Sequence, residues 1–133
     1  LDPIISETQS VTREMVDNYF TEKEIAITTT YEKVGDTIDL KVNISNYSSS
    51  PISECKILPE FNEIILGLGG IEPTVPYYFD KNTFEIGDIK SYNEVQFILK
   101  MKSKNSENTT IEIKLEYNQK GRKSNTSSNI EIN

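Results

Sequence analysis

The sequence predicts an all-β fold, an antiparallel β-sandwich of about seven strands with a short N-terminal helical arm. Three observations carry this. From Glu24 onward, apolar residues recur at every second position, the pattern of strands with one buried face. Clusters of Gly, Pro, Asn and Ser cut these rows into short segments. The 133 residues suit one domain of ordinary size, and with 35% of them apolar its core is lean and its surface very polar.

Residues 1–22 differ from the rest and form an arm, with the sandwich assigned to residues 23–133. Asp2-Pro3 can start a helix, and Ser6 and Gln9 have capping-box spacing ahead of the stripe Val11, Met15 and Tyr19, with Val16 and Phe20 beside it. This predicts a helix over residues 5–20; the alternative is a linker tail, since isolated helices of this length are marginal. The chain starts at Leu1, without Met and without a signal-peptide pattern, and so reads as a fragment; any signal peptide or anchor ahead of Leu1 would be invisible, so the missing signal says little about compartment.

In the first strand Ile25, Ile27, Thr29 and Tyr31 alternate with Ala26, Thr28 and Thr30 before a Gly35-Asp36 turn. Thr37 to Asn46 alternates most cleanly, with Ile38, Leu40, Val42 and Ile44 inward and Asp39, Lys41, Asn43 and Ser45 outward. After the turn at Tyr47 to Pro51, an inward row Ser53, Cys55 and Ile57 ends at Pro59. Phe61 to Pro76 reads as a long connection with at most a short strand near Ile64 to Leu66, because it carries Gly67, Gly69, Gly70, Pro73 and Pro76. A short strand, Thr83 to Ile86, turns at Gly87-Asp88. Val95, Phe97, Leu99 and Met101 form one inner row, and Ile111, Ile113, Leu115 and Tyr117 the next. A loop from Asn118 to Lys123, centred on Gly121, leads to a last strand over 128–132.

The segments Tyr31-Glu32-Lys33-Val34-Gly35-Asp36-Thr37-Ile38, Lys41-Val42-Asn43-Ile44-Ser45-Asn46, and Ser50-Pro51-Ile52-Ser53-Glu54-Cys55-Lys56-Ile57 come in a familiar order. Phe84-Glu85-Ile86-Gly87-Asp88-Ile89-Lys90 follows, ahead of Val95-Gln96-Phe97-Ile98-Leu99-Lys100. This order resembles the immunoglobulin-like sandwich modules of CARDB-like or conserved-repeat type found in archaeal and bacterial multidomain proteins. The likeness spans residues 24–117 and rests on core and turn positions. It departs at Ser91-Tyr92-Asn93-Glu94, where such modules have Pro-Gly-Glu, and in the insertion around Gly67 to Pro76. The resemblance implies a non-catalytic appendage or spacer that binds other proteins or carbohydrate, and it carries over no catalytic residue.

With no His, no Trp and one Cys, the chain lacks a Ser-His-Asp triad, a Cys-His pair, a His-bearing zinc site and an internal disulfide. An enzyme, whose best carboxylates would be Glu72, Asp80 and Glu85, is the minority reading, and no cofactor is expected. The 14 Lys and Arg against 21 Asp and Glu give a net charge of −7, which repels nucleic acid and anionic lipid. No apolar run is long enough for a membrane-spanning helix. The resemblance implies a protein or peptide as the partner.

Tyr77, Tyr78 and Phe79 lead the candidate binding residues, because Ile64 to Phe79 places many apolar side chains in a Gly/Pro-rich stretch that a plain hairpin would not need. The alternative is that this stretch folds inward as a core cover. Lys100, Lys102 and Lys104 alternate onto one outer face, either to hold an acidic segment, or as a plain solvated face, or as a guard against edge pairing. Asp80, Asn82, Glu85 and Asp88 are oxygen donors of the kind calcium takes, but their order lacks the calcium-loop pattern and turn chemistry accounts for them equally. No metal is assigned. Four N-x-[ST] sequons occur at Asn43, Asn46, Asn108 and Asn125, against roughly two by chance. Asn46, Asn108 and Asn125 fall in or beside expected turns, and Asn43 points outward. Occupied sequons would place the domain on the cell surface as a spacer or adhesion module. The single Cys, read as an inert core residue, tilts the balance toward a cytoplasmic interaction module.

Overall fold

The computed structural model describes residues 24–133, so the helix expected over 5–20 lies outside the described residues. Nine strands follow in order: β1 (Ile25–Val34), β2 (Thr37–Asn46), β3 (Ile52–Glu60), β4 (Leu66–Glu72), β5 (Tyr77–Tyr78), β6 (Thr83–Ile89), β7 (Glu94–Ser103), β8 (Thr109–Gln119) and β9 (Arg122–Ile132). One 3-10 turn, Phe79–Lys81, sits between β5 and β6. The strands make two antiparallel sheets, one ordered β1-β2-β7-β4 and the other β5-β6-β3-β8-β9. The inner faces pack on one core, as the alternation required. Ile38, Leu40, Val42 and Ile44 from β2, Phe97, Leu99 and Met101 from β7, and Ile111, Ile113 and Leu115 from β8 are all buried in it.

The structure corrects several strand boundaries, each for a local reason. The supposed long connection contains β4, the edge strand of the first sheet, paired with β7 from Leu66↔Ser103 to Glu72↔Ile98. Its glycines accommodate a bulge. The register shifts between Leu68 and Gly70, so that Leu68 faces Met101 and Ile71 faces Leu99, both inward, where strict alternation would have turned Ile71 out. Gly70 has φ 151, and a Cβ at Gly69 would lie 3.3 Å from the Lys100 carbonyl oxygen.

β3 is bulged as well. Ile52, Cys55, Ile57 and Pro59 are its buried residues, not the expected row through Ser53, because the ladder slips around Glu54, whose φ is 52. Pro59 does not end the strand. It pairs with Ile113 of β8, and on its other side Asn82 Nδ2 donates to its carbonyl at 2.6 Å in place of a ladder bond. β6 continues through Gly87, opposite Cys55, to Ile89. The expected loop at 118–123 shrinks to the two residues Lys120 and Gly121, with φ 54 and 77. This is the backbone a two-residue hairpin needs, and it lengthens β9 back to Arg122.

Cys55 is 1% exposed in the core. Burial first, and the charge of Asp88 second, push its thiol up from 9.0 to about 12. The native protein is therefore expected to resist thiol reagents at pH 8. The sign for stability follows from proton uptake. Between pH 9 and about 12 the unfolded chain has lost this proton while the folded chain keeps it, so stability falls as pH rises. The slope from this group reaches about 1.4 kcal/mol per pH unit and should vanish in Cys55→Ala, measured by urea unfolding across that range.

Candidate functional site

The sandwich has two long sides, and they are unlike. Along one, β1 packs beside β9, and the sheets are tied across it. Thr29 Oγ1 and Ser128 Oγ lie 2.9 Å apart, the Asn133 amide donates to Tyr31 Oη at 3.2 Å, and Lys33 Nζ donates to the Asn133 carbonyl at 3.4 Å. Along the other, edge strands β4 and β5 leave a groove of about 520 Å³, apolar in part, with Glu72, Thr74 and Lys100 as its polar lining. Leu68 and Ile71 line it from the first sheet, Tyr77 and Phe84 from the second, and Val75 and Phe79 from the connecting segments. A second hollow of about 240 Å³ continues past Phe79 and shares Leu68 and Tyr77.

Each candidate aromatic residue has a distinct setting. Tyr77 stacks on Phe84 with ring centroids 4.5 Å apart, and its hydroxyl donates to Asn82 Oδ1 at 2.7 Å. Tyr78 donates to Glu85 Oε1 at 3.2 Å. Both phenols are raised above their ordinary value, Tyr77 by burial and then the charge of Glu63, Tyr78 chiefly by its bond to Glu85. Phe79, in the 3-10 turn, is 86% exposed. Asn82 ends that turn in the left-handed region, with φ 49, which asparagine tolerates, and its two bonds hold Tyr77 and Pro59 together. Rigid rings beside an unpaired sheet edge make a contact surface at small entropic cost. The stretch from Ile64 to Phe79 divides: Ile65, Leu66 and Ile71 cover the core, while Ile64, Tyr78 and Phe79 face out.

The lysine row does not form a free stripe. β7 is an interior strand of its sheet, so edge protection does not explain it. Lys100 Nζ lies 3.2 Å from Asp39 and 3.8 Å from Glu72, Lys102 lies 4.0 Å from Asp36, and Lys104, just past the strand, donates to the Glu63 carbonyl at 2.8 Å. Lys100 lines the groove and Lys104 the adjoining hollow. Three of the four oxygen donors make local bonds, Glu85 with Tyr78, Asn82 as above, and Asp88 accepting from the Glu54 amide at 3.3 Å, while no such bond is seen for Asp80 among the described residues.

The sequons separate sharply. Asn108 and Asn125 are exposed, though Asn125 lies within β9 and not in a turn. Asn43 is on the outer face of β2, flanked by Thr28 and Gln96. Asn46 corrects the expectation of a tolerant turn: its side chain is buried and bonded to backbone on all sides, leaving no room for a glycan in the folded domain.

Leu68 and Ile71 were among the apolar residues that marked out Ile64 to Phe79, but the sequence set them in a presumed loop and not in an edge strand, and it placed Phe84 in an isolated short strand away from them. The one available signal was the Gly69-Gly70 pair between two large apolar residues, the mark of a bulge as much as of a loop.

Comparison with known proteins places the fold. No family model matches the chain, and no curated protein matches it in sequence. Solved structures do match. The GAE domain of yeast GGA1 superposes with a TM-score of 0.61 at 16% identity, covering 84% of this chain and 93% of that one. The GAE domain of GGA2p from Saccharomyces cerevisiae gives 0.58 at 14%, covering 82% and 88%. The Fcho1 Mu homology domain from Danio rerio, solved with a bound Eps15 peptide, gives 0.53 at 5%; the match covers 86% of this chain and 44% of that one. At these identities the likeness is one of fold, an immunoglobulin-like two-sheet sandwich.

Proposed function

We propose that the domain is a non-catalytic interaction module that binds a partner protein through a peptide segment laid in the groove between β4 and β5. The observation that carries this reading is the asymmetry of the sandwich: one side is tied shut, while the other presents a partly apolar groove with a highly exposed Phe79 on its lip. An unpaired strand edge beside apolar pockets suits an added peptide strand. The Fcho1 Mu homology domain, solved with a bound peptide and sharing this fold over 44% of its chain, supports the reading, and the narrower CARDB-like resemblance is consistent with it.

The test is a random peptide library displayed against the domain and against Phe79→Ala. Selected peptides should lose at least tenfold in affinity for Phe79→Ala, while its stability changes by less than about 0.5 kcal/mol, as for an exposed side chain. Tyr77→Ala, which also loses its stacking on Phe84, should cost about 1–2 kcal/mol. Binders indifferent to Phe79, or no enrichment at all, count against the reading.

A cell-surface spacer or adhesion role is the second reading, favoured by the exposure of Asn108 and Asn125. Hexose-sized increments in the intact mass of protein from its native source would support it, and a bare polypeptide mass would oppose it.

A further inference from the structure

We infer that the groove selects an extended segment with one aromatic side chain flanked by lysines or arginines, its main chain pairing with β4. This rests on the groove being the binding site, as proposed above, and adds the chemistry of what it takes.

The edge comes first. The Leu66 amide donates to the Asn62 carbonyl at 3.0 Å and the Ser103 amide to the Asp36 carbonyl at 2.7 Å, so the Leu66–Ser103 step exchanges no bonds between β4 and β7. In an antiparallel ladder such steps alternate, which turns the amide and carbonyl of Leu68 away from β7 as well. β4 ends its sheet, so these groups face the open side and can pair with an incoming strand.

The side chain comes next. The tyrosine hydroxyls at the groove are already engaged, Tyr77 with Asn82 and, beside it, Tyr78 with Glu85, which leaves Thr74 as the lining's one hydroxyl without a bond among the described residues. A polar ligand side chain would lose water here without gaining a free tyrosine partner. Leu68, Ile71, Val75 and the rings of Tyr77, Phe79 and Phe84 offer apolar and edge-to-face contacts, which an aromatic side chain fills best.

Charge then decides what flanks it. The carboxylates that line the groove and its adjoining hollow, Glu72 and Glu63, are matched there by Lys100 and Lys104; one contact or one residue beyond the lining stand Asp39, Asp80 and Glu85 against Lys81. Lys100 is shared between two of those carboxylates. The excess is negative, and the chain's net charge of −7 adds a long-range pull on cations.

The experiment uses four fluorescein-labelled nine-residue peptides. The first has a central Phe, Val on each side and Lys beyond. In the others Lys becomes Glu, Phe becomes Ser, or alternate amides are N-methylated. Anisotropy gives affinity, and amide shifts in the ¹⁵N-labelled protein locate the site. The basic aromatic peptide should shift amides in residues 66–79 and at Phe84, and should bind at least tenfold more tightly than each variant. Its affinity should fall severalfold between 50 and 500 mM salt and at least tenfold against Phe79→Ser. If the Glu-flanked peptide occupies the groove as tightly, the charge selection is overturned while the groove reading stands. If N-methylation has no effect, the edge pairing is overturned. If no peptide moves groove amides, this inference and the proposed function fall together.

Discussion

Asn46→Ala is expected to destabilise the domain by about 3 kcal/mol or more, since leaving each buried polar partner unsatisfied costs roughly 1–3 kcal/mol. Asn46 is fully buried where β2 ends, and its amide joins the two sheets. Nδ2 faces the carbonyls of Ser50 at 2.9 Å and of Ile89 and Lys90 at 3.3 Å each. Oδ1 accepts from the Ser48 amide at 2.9 Å and from its hydroxyl at 2.6 Å. Ser48 Oγ in turn accepts from Gln119 Nε2 at 2.8 Å, which brings in the end of β8. Alanine would strand several of these groups at once. Asn46→Asp keeps the size but sets a carboxylate against three carbonyls, and should cost at least as much as alanine. Urea unfolding decides the matter. The midpoint should drop with an unchanged m-value, and a shift worth less than about 1 kcal/mol would mean that water replaces the amide.

The second large effect is expected at Leu99→Ala, about 3–4 kcal/mol, the cost of truncating a buried leucine that cannot be repacked. Leu99 is wholly buried in β7, in register with Leu40 on one side and Ile71 on the other. Three strands therefore present one apolar row to the opposite sheet, and a cavity in its middle strand is hard to close. The adjacent Lys100→Ala, on the outer face, removes only partly exposed ion pairs and should cost about 0–1 kcal/mol. Comparable losses at the two positions would mean that the inner face of β7 is not the one described.

The contrast between Leu99 and Lys100 is also where the sequence was most legible. Burial on one face imposes a two-residue period that needs no knowledge of neighbours, and the rows in β2, β7 and β8 could be read from it residue by residue. Where the period broke, the reading broke too. Gly69-Gly70 and Glu54 shift the ladder by one residue, and a bulge leaves the same local trace as a loop. Lys120-Gly121 was legible as a turn but not as one so tight.

The site was legible only in part. Tyr77 to Phe79 stood out as apolar residues among Gly and Pro, yet nothing local showed that Leu68, Ile71 and Phe84 would lie beside them. Asn46 misled for the same reason: in sequence it is one polar residue before a serine cluster, and its burial is made tolerable by carbonyls 43 and 44 residues away.

The sequence by itself determined the all-β class, the inward rows and the paucity of catalytic groups, because period, turn chemistry and composition are local or additive properties. Tertiary structure alone decided the order of strands in each sheet, which side of the sandwich is tied shut and which stays open, and which polar residues are buried. Those outcomes depend on pairing between segments far apart in the chain, and an alternating strand specifies the face it buries without specifying its neighbour.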